Sequence, residues 1–444
     1  MQQQISRRGF LRLSAVTAAG ALAAACQPMA APAPSAGEEA PDAVSEVVTL
    51  RLAEGSWVGP EGIKFWTDDI IPRFELENPG IKVVYESAES DDYADKLYTQ
   101  AVAGDAPDAF FIWWSGGLME KGQLLPLDDY FDKEYMSDFF PGNIAGQLYE
   151  GKLYGIPKYI STVCLAYNKD ILDEAGVEYP DGTWDWDKYL AACQACVKRD
   201  ANGKITQWGT YVAHEYLPHW VWQNEGEWMD GDLFGTQPLF REEKALEALQ
   251  FNYDMIYGPE PVAPKPGDIA DFGWWNVFST GKVAFMESHS WTVTNYMREN
   301  AFQWDFADLP TGRGGKRAGL TFTNGYSIYK GTKHPEEAVK LVKFLTSPWA
   351  ARQMCIGILG LQPARRSLTD VWDKESMGAR AGYDVAAFSR IMEYARLMPE
   401  FKDSQKIQEI FNPIWQQIWV TGEMGLEEGV NLIADRINEY YASL

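Results

Sequence analysis

Hydrophobic and polar positions alternate with two different periods near the start of the folded part of the chain. Residues 47–53 alternate with the period of a strand, and the apolar positions between Trp66 and Phe74 recur with the period of a helix. The sequence Asn-Pro-Gly at 78–80 ends that helix, and residues 81–85 again have the strand pattern. The pattern therefore predicts a strand, a helix, a turn and a second strand.

The same alternation continues over the next thirty or so residues. Apolar positions in residues 93–102 predict a helix, and residues 109–112 predict a third strand. The βαβαβ order is typical of a parallel sheet with helices on both faces, in which ligands bind beyond the carboxyl ends of the strands. Residues 54–57 and 113–115 follow two of these strands and are expected at that edge.

A second round of elements follows. Residues 163–167 predict a strand, residues 168–170 open a short helix, and Thr183 is expected to cap a helix that runs to about Lys198. Further helices are predicted over residues 242–257, 336–346, 348–356 and 426–442. The sequence has no internal repeat and no segment long enough to span a membrane.

The amino terminus, residues 1–25, is expected to be an export signal. Arg7 and Arg8, followed by Phe10 and Leu11, resemble the twin-arginine motif, and the apolar stretch that follows is too short to span a bilayer. Residues 22–26 resemble a lipobox, although Ala23 stands where that pattern has leucine. Cys26 is therefore expected to be lipidated, with an ordinary small-residue cleavage site as the alternative.

Residues 26–45 are expected to be a flexible tether. They contain four prolines among alanine, serine, glycine and glutamate, a composition that buries too little apolar surface to fold. A lipidated cysteine followed by such a spacer would hold the folded body at the outer face of the cell membrane or in the periplasm.

Composition excludes several classes of protein. The chain has 444 residues, of which 46% are hydrophobic and 23% charged, as in globular proteins rather than disordered or polytopic membrane proteins. Its formal charge of −24 argues against nucleic-acid binding, which requires clustered Lys and Arg. The 18 Trp, 22 Tyr and 21 Phe exceed what core packing usually needs, so some are expected to stack on a ligand.

Four sequence blocks carry a resemblance to a known family. They are residues 77–83 (ENPGIKV), 104–108 (GDAPD), 151–157 with 167–170, and 278–286 (FSTGKVAFM). In this order they resemble the family 1 extracellular solute-binding proteins of ABC importers, which include the maltose-binding type. The resemblance implies an α/β, periplasmic-binding-protein-like fold of two lobes joined by a hinge, each lobe a mainly parallel sheet flanked by helices. It places one lobe at 46–161 and 307–360 and the other at 162–306 and 361–444.

The resemblance also implies a function. The chain is expected to capture a sugar or oligosaccharide between its lobes and to deliver it to the permease subunits of an ABC importer, as a monomer without catalysis or a cofactor. The alternative is a secreted carbohydrate-active hydrolase, which would need two carboxylates about 5 to 10 Å apart. No hydrolase motif such as G-x-S-x-G or H-E-x-x-H is present.

A carbohydrate site needs aromatic faces for the sugar rings and polar groups for the hydroxyls. Trp113, Trp114 and Ser115 follow a strand, Trp57 follows another, and Trp291 follows the strand at 283–286. For each tryptophan, packing in a core is the alternative. The expected ligand-binding residues, several of them by the resemblance alone, are Trp57, Trp113, Trp114, Ser115, Tyr159, Glu215, Tyr216, Ser288, Trp291, Asn324 and Trp415.

Two other patterns are not expected to carry chemistry. His214 and His219 lack the i, i+4 spacing of a helical zinc pair, so no metal site is predicted. Cys193 and Cys196 lie inside an amphipathic helix rather than at its start and are expected to be buried structural residues, although an exported protein could pair Cys164, Cys193, Cys196 and Cys355 in disulfides. An anionic ligand would require cations in the cleft, for which the sequence offers Lys158, Arg313, Lys316 and Arg317.

Overall fold

The computed structural model describes residues 47–55, 59–88, 90–113, 116–231, 233–269, 273 and 276–444. The strands are β1 (Val48–Gly55), β2 (Ile81–Ala88), β3 (Ala109–Ile112), β4 (Leu148–Tyr149), β5 (Lys152–Leu153), β6 (Ile156–Asn168), β7 (Lys198–Arg199), β8 (Ile205–Tyr211), β9 (Phe234–Gly235), β10 (Val283–His289), β11 (Trp304–Ala307), β12 (Gly319–Ile328), β13 (Ala395–Leu397) and β14 (Glu400–Phe401).

The α-helices are α1 (Gly59–Lys64), α2 (Ile71–Glu77), α3 (Ser90–Ala103), α4 (Gly116–Glu120), α5 (Lys133–Met136), α6 (Pro141–Ala145), α7 (Lys169–Ala175), α8 (Trp186–Cys196), α9 (Pro218–Gln223), α10 (Glu243–Tyr257), α11 (Val293–Glu299), α12 (Pro335–Leu345), α13 (Pro348–Ile356), α14 (Thr369–Glu375), α15 (Met377–Arg380), α16 (Ala386–Ile391), α17 (Ser404–Gln416) and α18 (Leu426–Ala442). Two π-helical segments, Phe65–Ile70 and Gln417–Thr421, continue α1 and α17.

The predicted βαβαβ unit is present. β1 pairs in parallel with β2 on one side and β3 on the other, and its apolar residues Leu50 and Leu52 are fully buried. The helix between β1 and β2 buries Trp66, Ile70 and Phe74, which lie on one face because they recur with helical spacing. Because these three strands are parallel, their carboxyl ends share one edge of the sheet.

The complete sheet is mixed rather than parallel throughout. Its order is β2-β1-β3-β12-β6-β10-β8-β7, with β11 beside β6 and β13 beside β12. β12 is antiparallel to both β3 and β6, and β10 is antiparallel to β6. The second half of the sheet therefore combines parallel pairs with antiparallel ones.

The hydrophobic residues form two separate cores, and we call the bodies around them the first and second lobes. The first core contains residues such as Leu52, Phe110 and Leu341, and the second contains residues such as Trp186, Phe285 and Trp419. Each core lies between a part of the sheet and its own covering helices, which is the layered arrangement that an α/β lobe requires. The sequence limits of the lobes stay a prediction.

Two long strands connect the lobes. β6 contributes Ile156 and Ile160 to the first core and Val163 and Leu165 to the second. β12 lies beside it, and its register with β6 shifts between Asn324 and Gly325. The two cores are therefore joined through this strand pair, between Ile160 and Val163 of β6.

The starts of α7 and α8 are both fixed by capping side chains, and the sequence predicts only the first of them correctly. The side chain of Asn168 caps α7 by accepting the backbone N–H of Ile171, in line with the short helix predicted there. Thr183 does not cap α8, so that prediction is wrong, and the helix ends at Cys196 rather than near Lys198. Asp185 is the cap, because its carboxylate accepts the Lys188 N–H at 2.8 Å, while the Thr183 hydroxyl donates to Asp181.

The four described cysteines, Cys164, Cys193, Cys196 and Cys355, are buried free thiols. The prediction for Cys193 and Cys196 is therefore confirmed. None of the helices in the described part of the chain is long and apolar enough to cross a membrane. The predicted export signal with Arg7 and Arg8, the lipidated Cys26 and the tether at 26–45 lie outside the described residues.

Candidate functional site

A small pocket lies between the two lobes. The first lobe and β12 contribute one wall, and the second lobe contributes the other through β9, β13 and the start of β14. Its volume is about 50 Å³, far below the roughly 300 to 1,000 Å³ of typical ligand pockets. The lobes are closed on each other, because the Glu400 side chain of one wall lies against Gly116 of the other. The described residues that line it are Trp113, Gly116, Met119, Gly146, Leu233, Phe234, Phe322, Thr323, Leu397, Met398 and Glu400.

Trp113 forms the aromatic face of the first-lobe wall. It follows β3 directly, and its side chain is 37% exposed although it lies beside a core. Its ring stacks on Tyr93 at 5.8 Å and contacts Phe111 at 6.0 Å. Because packing fixes one face of the indole, the remaining exposed surface is presented to the pocket in a defined orientation.

Four aromatic rings at the hinge, Tyr216, His289, Trp291 and Phe322, form what we call the hinge aromatic cluster. The His289 ring stacks on Trp291 at 5.6 Å and packs against Phe322 at 5.1 Å, and Tyr216 contacts both His289 and Phe322. Phe322 links this cluster to the pocket wall. Two predicted ligand-binding aromatics, Tyr216 and Trp291, therefore lie close to the pocket.

Burial controls the charge state of this cluster. Burial, together with the smaller effect of nearby His219, lowers the pKa of His289 to about 3, so the imidazole is neutral at physiological pH. The neutral ring accepts or donates a hydrogen bond at Nδ1 with the Ser161 hydroxyl at 2.9 Å. Burial also raises the pKa of Tyr216 to about 12, so its phenol keeps its proton.

A buried ion pair lies behind the aromatic face. The Lys158 ammonium donates to both carboxylate oxygens of Glu54 at 2.9 and 2.8 Å, and the side chains are only 4% and 2% exposed. Tyr326 also donates to Glu54, and the ammonium lies over the Phe111 ring at 4.3 Å. Burial lowers the pKa of Lys158, while the charge of Glu54 opposes that shift. These contacts fix Lys158 as an internal structural cation.

Glu400 is the charged group of the pocket. Its backbone N–H donates to the Leu233 carbonyl at 2.7 Å where β14 begins to pair with β9. Across the pocket its carboxylate lies against Gly116, where a Cβ atom would come within 2.8 Å of Oε1. The second lobe therefore places the Glu400 carboxylate against the start of α4 on the first lobe, shortly after Trp113 in the chain.

Other contacts join the lobes beside the pocket. The Glu120 carboxylate at the end of α4 accepts the backbone N–H of Asp403 at 3.0 Å, and Lys121 donates to Gln405 at 3.2 Å. Burial raises the pKa of Glu120. Asp403 has a φ of +53°, a left-handed conformation that is uncommon outside glycine, and this turns the chain into α17. These contacts, which we call the mouth of the pocket, join the end of α4 on the first lobe to the start of α17 on the second.

The Thr323 hydroxyl on the first-lobe wall is fixed from behind. It donates to the Asn143 carbonyl at 3.0 Å and accepts from the Gln147 amide at 2.8 Å. Gly325 and Gly155 leave the space that the Gln147 side chain occupies, since a Cβ atom on either would lie within 2.7 Å of its Oε1. Thr323 is thereby held in one rotamer at the pocket surface.

The remaining predicted site residues lie at different distances from this pocket. Tyr159 is buried and stacks on Phe111 at 5.8 Å, one ring behind Trp113. Asn324 is buried next to Thr323, and its amide approaches the Phe322 carbonyl. The exposed Glu215 carboxylate lies 3.5 Å from His214. Trp57, Trp114 and Ser115 lie outside the described residues.

Two predicted residues lie in the second core. Trp415 is 7% exposed, donates through Nε1 to the His214 carbonyl and packs against Trp228 and Trp419. Ser288 is buried and hydrogen-bonds the Tyr296 hydroxyl at 2.8 Å. Their assignment to a ligand site stays a prediction. Among the described residues, no group of three or more His, Cys, Asp or Glu side chains could hold a metal ion.

Sequence reasoning missed the second-lobe wall, which consists of Leu233, Phe234, Leu397, Met398 and Glu400. Phe234, Leu397 and Glu400 belong to strands of only two or three residues, which are too short to show a periodic pattern. Leu233 and Met398 lie next to such strands. The only local signal in the sequence is Glu400, a charged residue between the apolar residues Met398 and Phe401. Its pairing with Gly116 depends on tertiary contacts alone.

A larger groove of about 710 Å³ lies on the second lobe, along α10 and beside Arg313. Its aromatic residue, Phe251, stacks on Trp186 at 4.8 Å, and the Arg313 guanidinium lies 5.6 Å above its ring. The groove is thus built from one lobe, and its aromatic face is already covered. The pocket between the lobes is the better candidate for the ligand site.

Comparison with known proteins agrees with this two-lobed geometry. The chain matches the family described as bacterial extracellular solute-binding protein over residues 59–351, more than half of its length. It belongs to this family. The prediction of family membership and of a two-lobe α/β fold is therefore confirmed.

Relatives of this solute-binding protein include two with named ligands. An arabinooligosaccharide-binding protein of Halalkalibacterium halodurans is 28% identical over 337 residues, 71% of this chain and 73% of that protein. A Brucella abortus putative binding protein is 27% identical over 379 residues, 84% of this chain and 88% of that protein. An ABC substrate-binding protein of Listeria monocytogenes, solved in complex with cycloalternan, is 26% identical with a TM-score of 0.77 and covers 89% of this chain and 100% of its own.

Proposed function

We propose that this chain is the substrate-binding component of an ABC importer, which captures a saccharide between its lobes and delivers it to the permease. The observation that carries the proposal is the facing pair of Trp113 on one lobe and Glu400 on the other. An indole face packs against the C–H face of a sugar ring, and a carboxylate accepts hydrogen bonds from hydroxyls. The ligands named for the Halalkalibacterium and Listeria proteins are also saccharides.

Closure of the lobes is the proposed mechanism. The pocket, at about 50 Å³, is far smaller than typical ligand pockets, so a saccharide enters while the lobes are apart, and the lobes then close around it less tightly than they close on each other. A ligand that touches both walls binds the closed form more tightly than the open one, and it shifts the population by that difference in affinity. The permease then receives a closed, loaded protein.

We further infer that the chain acts outside the cytoplasm and is held there by a lipid. Residues 1–25 with Arg7 and Arg8 would direct export, and acylated Cys26 with the tether at 26–45 would leave the folded body free to reorient near the membrane. The chain is expected to act as a monomer without a cofactor. Labelling with a radioactive fatty acid, and its loss in Cys26→Ser, tests the anchor.

Catalysis is not part of the proposal. A glycoside hydrolase acts through two carboxylates that flank the sugar bond. Glu400 is the only carboxylate among the described residues that line the pocket, and the nearby Glu54 is buried against Lys158. Among the described lining residues, a saccharide would therefore meet one carboxylate.

The proposal is tested by thermal unfolding of the chain with a panel of monosaccharides, oligosaccharides, polyols, sugar phosphates and peptides. A ligand that binds only the folded state adds about 2.7 kcal/mol of stability at one hundred times its Kd. We expect a saturable rise of the midpoint with one class of saccharide and no new reducing ends after prolonged incubation. Sustained release of reducing ends, or a shift with peptides alone, would overturn the proposal.

A further inference from the structure

The pocket between the lobes carries one kind of charge. Among the described residues that line it, Glu400 alone is charged, and the others are apolar or neutral: Trp113, Gly116, Met119, Gly146, Leu233, Phe234, Phe322, Thr323, Leu397 and Met398. Glu120 and Asp403 at the mouth add further carboxylates. Lys121 adds one cation there, so it is the lining itself, through Glu400, that carries a single kind of charge.

Of the cations near the pocket, Lys121 is held by the Gln405 side chain at 3.2 Å and by the Tyr98 ring at 4.8 Å, and two others are matched by carboxylates. Lys158 is buried against Glu54 at 2.8 Å. Arg396, on β13 next to the lining residue Leu397, binds both carboxylate oxygens of Glu227 at 3.0 and 2.9 Å and lies 4.3 Å above the Trp222 ring. Neither cation can turn to an anionic ligand without leaving an unpaired carboxylate behind.

The other cations that the sequence offered lie outside the pocket lining. Arg313 pairs with Asp187 at 2.9 Å beside the groove of the second lobe. Arg317 pairs with Asp308 and donates to the Gly182 carbonyl. Between residues 47 and 444, the positions outside the described ranges include no lysine or arginine, so they add no positive charge to the pocket.

This charge distribution favours uncharged ligands over anionic ones. A hydroxyl donates a hydrogen bond to a carboxylate, and such charge-assisted bonds are the strong ones. An anionic substituent has no proton to donate, and its juxtaposition with a like charge in a closed pocket is strongly unfavourable because little water remains to screen it. Among its described residues, the pocket lining can therefore satisfy polar uncharged groups but offers no cation to an anion.

We propose that this pocket selects uncharged saccharides and excludes uronates, sugar phosphates and sulfated sugars, and that Glu400 is the specificity-determining residue. The inference rests on the proposed function, because it concerns which saccharides occupy the same pocket. Apolar contact with Trp113 is common to neutral and anionic sugars, whereas the charge of Glu400 distinguishes them.

The test compares matched pairs of ligands by titration calorimetry. Neutral oligosaccharides from the class that stabilises the chain are paired with derivatives of the same length that carry a uronate or a phosphate. For the unmodified chain we expect the Kd of the anionic member to be at least about tenfold higher. Glu400→Gln removes the charge and keeps the shape, so the neutral ligand should bind about tenfold more weakly and the difference between the pair should shrink.

Glu423→Gln is the matched control. Glu423 is exposed, lies in the same carboxy-terminal part of the chain as Glu400 and does not line the pocket. Its replacement by glutamine removes the same charge as Glu400→Gln. We expect it to leave both affinities within a factor of about two, as a distant surface charge is largely screened. Thermal unfolding of both variants checks that they are folded.

The outcomes separate this inference from the proposed function. Equal binding of neutral and anionic members by the unmodified chain would overturn the inference and leave saccharide binding intact. Discrimination that persists unchanged in Glu400→Gln would refute the role of Glu400. If no saccharide of either kind binds, the proposed function fails, and the inference falls with it.

Discussion

Replacement of Gly116 by alanine tests how the lobes close. Gly116 begins α4 on the first lobe, and its backbone has no positive φ, so alanine fits the local conformation. In the closed form the new Cβ would lie 2.8 and 2.9 Å from the two carboxylate oxygens of Glu400 and 3.1 Å from its Cδ. These distances are shorter than van der Waals contact, so the methyl group and the carboxylate cannot keep their positions together.

The clash can be relieved in two ways, and both weaken ligand binding. Either the lobes remain slightly apart, or the Glu400 side chain swings out of the pocket and no longer accepts hydrogen bonds. Overpacking of this kind costs about 1 to 3 kcal/mol. Because the open form is unaffected, the cost falls on ligand binding and corresponds to an affinity about 5 to 150 times lower. The unfolding midpoint should not fall, since alanine also favours a helix over glycine.

Gly117→Ala is the matched control for this prediction. Gly117 is in the same helix, but its added Cβ would meet only the Tyr98 ring at 3.5 Å, an ordinary contact. Titration calorimetry should show near-normal affinity for Gly117→Ala and reduced affinity for Gly116→Ala. In a Glu400→Ala background the effect of Gly116→Ala should nearly disappear. Equal affinities of the two glycine variants would refute the reasoning.

Four further predictions concern other parts of the site. Trp113→Ala and Trp291→Ala should each weaken saccharide binding by roughly 1.5 to 3 kcal/mol in calorimetry while the chain stays folded, since each removes an aromatic face; unchanged affinity in both would refute their assignment to the site. Glu120→Ala removes the acceptor for a backbone N–H across the pocket mouth, so affinity should fall about fivefold and small-angle scattering should show a more open unliganded protein. Lys158→Met should lower the free energy of unfolding by about 3 to 5 kcal/mol because it strands a buried carboxylate; a small change in urea denaturation would contradict this. The pKa of His289 is lowered to about 3 in the folded state from its usual 6.5, so the unfolded chain binds the extra proton between these values. Stability should therefore fall on acidification from about pH 6.5 toward 3, by up to about 1.4 kcal/mol per pH unit, and His289→Gln should reduce that slope.

The sequence predicts those features that depend on local pattern. The βαβαβ order follows from periodicity, and the position of Trp113 follows from the rule that ligands bind beyond the carboxyl ends of parallel strands. The buried state of Cys193 and Cys196 follows from their place inside an amphipathic helix. Each of these predictions depends only on residues that are close to one another in the sequence.

Features that depend on distant contacts could not be predicted in the same way. Glu400 meets Gly116 only because β14 pairs with β9 and the lobes close, and none of these short strands has a recognisable pattern. The helix cap at Asp185 was missed because Thr183, two residues earlier, is also a good capping residue, and the turn with Asp181 decides between them. The state of Lys158 likewise depends on its distant partner Glu54.

A crystal structure of the chain with its tightest-binding saccharide would show directly whether the ligand lies between Trp113 and Glu400. We expect one sugar ring against the exposed face of Trp113, at least one hydroxyl donating to the Glu400 carboxylate, and the two lobes closed around the ligand. A saccharide bound elsewhere, such as in the groove beside Arg313, or one that touches only one lobe, would contradict it.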